Sequence, residues 1–222
     1  MKIKNVLATG ALVLASSTVS AATITQLGDN VSFTYDDATM YGAGSVVGDT
    51  IFFTPTAFQA EAIGVSGYDF TTDTLNIDVL SITSGYSMSM FTLYEDGDYR
   101  SDGSGASVAA DGFFRATSKT TLCGSPPCQD EVLFDAGTLA GTGGSNALWD
   151  MGGSLDLSWG SDTEVTLTIQ NNLTAETLAS GEHAFIQKKF SVSIPQVPVP
   201  AAVWLFGSGL IGLVGVARRK KA

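Results

Sequence analysis

A chain of 222 residues with 22 acidic and 11 basic side chains carries a formal charge of −11. That excess repels phosphate backbones and excludes a nucleic-acid partner. One histidine and two cysteines leave little from which to build histidine-centred metal chemistry or a four-cysteine zinc site.

The chain opens with Lys2 and Lys4, an apolar stretch over residues 6–15, and Val19-Ser20-Ala21, small residues of the kind a signal peptidase reads. Residues 1–21 are expected to be a signal peptide, cut by signal peptidase after Ala21 or Ala22. Its apolar core of about ten residues is too short for a retained anchor. Residues 22–196 then have the size of one domain with a sizeable core. Without the two ends of the chain, 5 basic residues face 22 acidic ones, a formal charge of −17. Solubility at a cell surface and divalent-cation loading are the uses such a surface offers.

Within 22–196 the side chains alternate with a period of two, which predicts strands buried on one face. Val31, Phe33 and Tyr35 alternate with Ser32 and Thr34, and Leu75, Ile77 and Val79 with Asn76 and Asp78. Leu155, Leu157 and Trp159 form a third set, Val165, Leu167 and Ile169 a fourth. The last set is Ala184, Ile186, Phe190, Val192 and Ile194, interrupted by Lys188. Turn-forming clusters lie between: Gly42-Ala43-Gly44, Glu95-Asp96-Gly97-Asp98, Ser101-Asp102-Gly103-Ser104-Gly105, Gly141-Thr142-Gly143-Gly144 and Gly160-Ser161-Asp162. The last of these reads as the turn of a hairpin joining 155–159 to 164–169. Short helical turns are expected only at 56–63 and 175–180. The sum is an all-β domain, an antiparallel β-sandwich of jelly-roll-like form. A β-barrel or a β-solenoid is the alternative, and the lack of a fixed-period repeat counts against the solenoid.

Cys123 and Cys128 flank Gly124-Ser125-Pro126-Pro127. In an exported chain such a pair reads as a local disulfide contributing roughly 2 kcal/mol, in preference to a redox or metal pair. Asp96, Asp98 and Asp102, in a Gly-containing acidic stretch, are candidate calcium ligands; against them, Arg100 stands where another oxygen is wanted and the closing Glu is missing. A plain acidic turn is the simpler reading, and no other cofactor is expected. Trp149, beside Asp150 and Gly152-Gly153, reads as a loop residue and the candidate for a ligand contact, whereas Trp159 is in phase with Leu155 and Leu157 and is expected to pack. His183 reads as a solvated residue at the start of an edge strand. No Gly-x-Ser-x-Gly element accompanies it, so no catalytic residues are assigned. Paired carboxylates acting on a sugar are the remaining route to catalysis, and sequence does not select a pair.

The C-terminus has a different grammar. Val197-Pro198-Val199-Pro200 is an extended, non-helical strip. Residues 201–217 carry no charge and would span about 25 Å as a helix, enough for a thin bilayer. Trp204 suits one membrane interface, and Arg218, Arg219, Lys220 and Lys221 form a basic stop on the cytoplasmic side. Gly207, Gly209, Gly212 and Gly215 weaken the helix, as suits a segment that is processed.

In this order of parts, residues 197–222 resemble the sorting tail of PEP-CTERM proteins, which Gram-negative bacteria export and pass to exosortase. The tail departs from the usual Pro-Glu-Pro core, carrying Pro198-Val199-Pro200 ahead of Trp204-Leu205. The resemblance implies a transmembrane helix held transiently in the inner membrane, cleavage near Pro198–Pro200, and delivery to the cell surface or extracellular matrix, where exopolysaccharide is the expected partner. Two function classes follow: a non-catalytic surface or matrix protein, or a carbohydrate-binding module or glycan-active enzyme that uses the tail for delivery alone.

Overall fold

The computed structural model describes residues 22–193. The expected leader to Ala21, Ile194, the motif Val197–Pro200, the apolar 201–217 run and the Arg218–Lys221 stop lie outside the described residues.

Twelve strands make up the described chain, with no helix among them. They are β1 Thr23–Leu27, β2 Val31–Asp36, β3 Ser45–Val47, β4 Thr50–Phe53, β5 Gln59–Ile63, β6 Tyr68–Ser81, β7 Met90–Asp102, β8 Ser107–Leu122, β9 Pro127–Ala140, β10 Ala147–Asp156, β11 Glu164–Glu176 and β12 His183–Ser193. One sheet runs β1-β2-β6-β11-β8-β9. The other runs β10-β7-β12-β4-β3, with β5 also against β12. Every pairing is antiparallel.

The two sheets bury their apolar faces against each other in the manner of a β-sandwich, and the period-two pattern is the reason. Val31, Phe33 and Tyr35 of β2, Leu75, Ile77 and Val79 of β6, and Val165, Leu167 and Ile169 of β11 are all buried in one core with Phe91 and Leu93 of β7 and Ala184 and Ile186 of β12. Each large side chain of this set contributes about 1.5–3 kcal/mol by leaving water. Trp159 packs half-buried against the same core. Cys123 and Cys128 are joined by a disulfide that closes the β8–β9 turn, beside the Leu122–Pro127 pair.

Several expectations are corrected. Glu95-Asp96-Gly97-Asp98 is not a turn: it lies in the middle of β7, paired on one side to β10 and on the other to β12. Its polarity misleads because Asp96 points to solvent while Glu95 finds partners inside the core. Gly160-Ser161-Asp162 does not close a hairpin, since β10 and β11 belong to different sheets. Asp162 makes reciprocal backbone hydrogen bonds with Met88, at 2.7 and 2.8 Å, and these turn the chain across the sandwich. The 56–63 segment holds β5, where Ala60 and Ala62 are buried and Gln59, Glu61 and Ile63 exposed. At 175–180, Ala175 and Glu176 finish β11, and the loop after them is pinned by Glu182, which accepts the amides of Leu178 and Ala179 at 2.8 and 2.9 Å. His183 does begin β12, but that strand is interior, with β7 on one side and β5 then β4 on the other. Trp149 is no loop residue; it is a buried member of β10.

Candidate functional site

The outward face of β10, β7 and β12 carries a shallow cleft of about 210 Å³, lined by Tyr94, Asp96, Asp98, Leu148, Asp150 and Lys189 over Gly97 and Trp149. Strand register places these groups. Asp150 stands opposite Asp96 and Asp96 opposite Lys189, forming one cross-strand row; Leu148 stands opposite Asp98 in the next. Lys189 leans diagonally to Asp98, its Nζ 3.3 Å from Oδ2. Tyr94 is half exposed and Leu148 almost fully so. An exposed phenol ring, three carboxylates and one amine around an open cleft can stack on and hydrogen-bond a polyol such as a sugar.

The structure therefore brings Asp96, Asp98 and Trp149 together and leaves Asp102 apart. Six residues along an extended strand separate Asp96 from Asp102 by about 20 Å, and Asp102 is instead bonded to the guanidinium of Arg100. The acidic turn that made Asp96, Asp98 and Asp102 candidate calcium ligands does not form, and among the described residues no group of three or more His, Cys, Asp or Glu side chains is placed to hold a metal ion. His183 Nε2 lies 2.8 Å from Glu61 Oε1 across the β5–β12 pair.

Directly beneath the cleft the core contains four polar side chains that sequence reasoning did not assign to a site. Lys188 Nζ is 2.8 Å from Glu95 Oε1, with neither side chain exposed. The other carboxylate oxygen of Glu95 accepts from Asn171 Nδ2 at 2.7 Å. Asn171 Oδ1 accepts from the Tyr41 hydroxyl at 2.8 Å. Lys188 Nζ also lies 5.3 Å from the centre of the Tyr41 ring and 5.5 Å from that of Phe58, both close enough for cation–π attraction. Burial drives both members of the pair towards their neutral forms. The Glu95 carboxyl is raised by desolvation, with Lys188 and Asn171 pulling the other way. Desolvation lowers Lys188 to about 8 against the opposing pull of Glu95. Tyr41 is raised by burial and then by the carboxylates of Glu95 and Asp73.

Two glycines shape the walls of this cluster. Gly97 stands between Trp149 and Lys188 in the rung of one sheet, and Gly112 between Phe134 and Asn171 in the rung of the other. The Trp149 indole lies over Gly97 and donates to the Gln187 carbonyl at 3.1 Å. A Cβ on Gly97 would come within 2.7 Å of that indole nitrogen, and one on Gly112 within 2.8 Å of the Phe134 ring. Each sheet thus lays an aromatic ring beside its buried polar residue.

No protein-family model matches the chain, and no curated protein matches it. The site has to be read from its own chemistry.

A signal for the buried cluster was present in the sequence. Lys188 interrupts the apolar face of β12, Asn171 continues the Val165-Leu167-Ile169 phase of β11, and Glu95 continues the Phe91-Leu93 phase of β7. Each is the polar exception at a core position. The three other buried carboxylates among the described residues serve the fold, and Asp49 accepts both the backbone amide and the side-chain Nδ2 of Asn30. Asp162 accepts the hydroxyls of Ser118 and Thr120, and Glu182 accepts three backbone amides, from Gly105, Leu178 and Ala179.

Proposed function

We propose that this chain is an exported cell-surface or extracellular-matrix protein, sorted by exosortase through residues 197–222 and non-catalytic, with exopolysaccharide as the material it associates with. The observation that carries the reading is the order of parts in the tail: Val197-Pro198-Val199-Pro200, an uncharged 201–217 run, then Arg218-Arg219-Lys220-Lys221. The Cys123–Cys128 disulfide supports it, since such bonds persist in oxidising compartments. The roles of the buried carboxylates support the non-catalytic part: Asp162 and Glu182 are occupied by structural hydrogen bonds, and Glu95 is sealed from solvent.

The domain is read as a jelly roll with additions. Strands β6-β11-β8-β9 in one sheet and β10-β7-β12-β4 in the other follow that order, with β5 continuing the position of β4 along β12. Strands β1, β2 and β3 extend the two edges. Folds of this kind serve many lectin-like domains, but the fold alone does not assign a ligand.

A second reading, a carbohydrate-binding module that uses the tail for delivery, is favoured by the outward cleft with its exposed Tyr94 ring and its Asp96, Asp98 and Asp150 carboxylates. The sorting claim is tested in a host with exosortase. Wild-type protein should lose its tail and the Pro198→Ala/Pro200→Ala variant should keep it; equal processing of both defeats the claim. A glycan array with wild-type protein and Tyr94→Ala tests the cleft, where binding should fall at least tenfold in the variant. Hydrolase assays accompany it: turnover abolished by Asp96→Asn or Asp150→Asn would overturn the non-catalytic reading.

A further inference from the structure

We propose that Lys188 and Asn171 are the partners of an intramolecular isopeptide bond, formed by attack of Lys188 Nζ on the side-chain carbonyl carbon of Asn171, with Glu95 moving the proton and ammonia leaving. The bond ties β12 of one sheet to β11 of the other.

Geometry carries this inference. One carboxylate, Glu95, holds both nitrogens involved: the nucleophile Lys188 Nζ on one oxygen at 2.8 Å and the leaving group Asn171 Nδ2 on the other at 2.7 Å. The oxygen of the attacked carbonyl, Asn171 Oδ1, accepts the Tyr41 hydroxyl at 2.8 Å, where negative charge develops as the new bond forms. Nucleophile, electrophile, proton shuttle and oxyanion donor are thus joined in a single set by one ion pair and two hydrogen bonds. Fixed proximity of this kind replaces a bimolecular encounter and supplies much of the lowering of the barrier.

The steps balance without a co-reactant. Glu95 takes the proton of Lys188, leaving a neutral amine with a free electron pair. That pair forms the N–C bond to Asn171 Cγ while the carbonyl π pair moves to Oδ1. Glu95 then transfers a proton from the attacking nitrogen to Nδ2, the C–Nδ2 bond breaks with its electrons on nitrogen, and the carbonyl reforms as NH₃ leaves. Glu95, which began as a carboxylate, ends as a carboxylic acid holding the first proton of Lys188, and as a general acid–base group is worth about 10²–10⁴ in rate. Burial favours the forms this sequence needs, a neutral amine and a protonated carboxyl. Lys188, Glu95 and Asn171 are fully buried and Tyr41 nearly so, which keeps water from competing for the amide.

The full chain, expressed, purified and shown to melt cooperatively, is reduced and digested with a Glu-specific protease and trypsin. Cleavage after Glu164, Glu176 and Glu182 and after Lys189 should yield residues 165–176 and 183–189 as one branched fragment, with no cut after Lys188. Its mass should be that of the two peptides less one NH₃, about 17 Da. Separate linear peptides, with Asn171 intact or hydrolysed to Asp, would overturn the bond and leave Glu95–Lys188 a plain buried ion pair. Glu95→Gln should give linear peptides; a branched fragment in that variant would overturn the role of Glu95. If Glu95→Gln does not fold, the wild-type digest still decides whether the bond exists.

Discussion

Lys188 and Glu95 meet at 2.8 Å across β12 and β7, with both side chains at zero exposure. Removing one partner leaves the other in an apolar surround, so Lys188→Met should cost about 3–5 kcal/mol in denaturant unfolding. Adding Glu95→Leu should restore part of the loss, because the stranded carboxyl is then gone. A double variant whose loss equals the sum of the Lys188→Met and Glu95→Leu losses would show that the pair is not coupled.

Gly97 is required by contact. A Cβ there would stand 2.0 Å from the Gln187 carbonyl oxygen, as one on Gly112 would from that of Gln170. Gly97→Ala must shift backbone and should destabilise the domain by about 1–3 kcal/mol, with a change in Trp149 fluorescence as the indole is displaced. Unchanged stability and emission would count against the packing described.

Acid should weaken the domain through Asp162. Burial raises its pKa, but the hydroxyls of Ser118 and Thr120 and the amides of Glu164 and Thr163 outweigh this and hold it below the ordinary value of 3.8. The unfolded chain therefore takes up this proton first as pH falls. The stabilisation is complete above the unfolded value and is lost as pH drops through the folded one. Asp162→Asn should cost about 1.5–3 kcal/mol at neutral pH and flatten the acid limb of a stability–pH curve. A variant with the same acid limb as wild type would refute the assignment.

The Cys123–Cys128 bridge closes a ring with a sequence separation of only 5. Small loops lose little entropy in the unfolded chain, so Cys123→Ser/Cys128→Ser should lower stability by about 2 kcal/mol or less and leave the far-UV spectrum intact. Loss of the β-signal would mean that the bridge holds the fold as well as the turn.

Sequence reading succeeded where one rule acted alone. Val31-Phe33-Tyr35 and Val165-Leu167-Ile169 alternate because one face of each strand packs on the core, and the structure buries all six. It failed at Glu95-Asp96-Gly97-Asp98 and Gly160-Ser161-Asp162, where local turn chemistry competes with long-range pairing. Residues adjacent in the chain do not reveal that β10 and Lys188 will lie on either side of Gly97, or that Met88 will bond Asp162.

The sequence by itself determined an all-β, acidic domain, the faces of its main strands and the local cysteine pair, because alternation and short-range spacing are properties of neighbouring residues. The tertiary structure alone decided which strands adjoin, that Asp96, Asp98 and Trp149 share one cleft while Asp102 does not, and that Tyr41, Glu95, Asn171 and Lys188 meet in the core. Of these last four, Tyr41 and Asn171 bond across a sequence separation of 130 residues. Their meeting is an outcome of sheet order and register, set by the whole hydrophobic pattern and by no single segment.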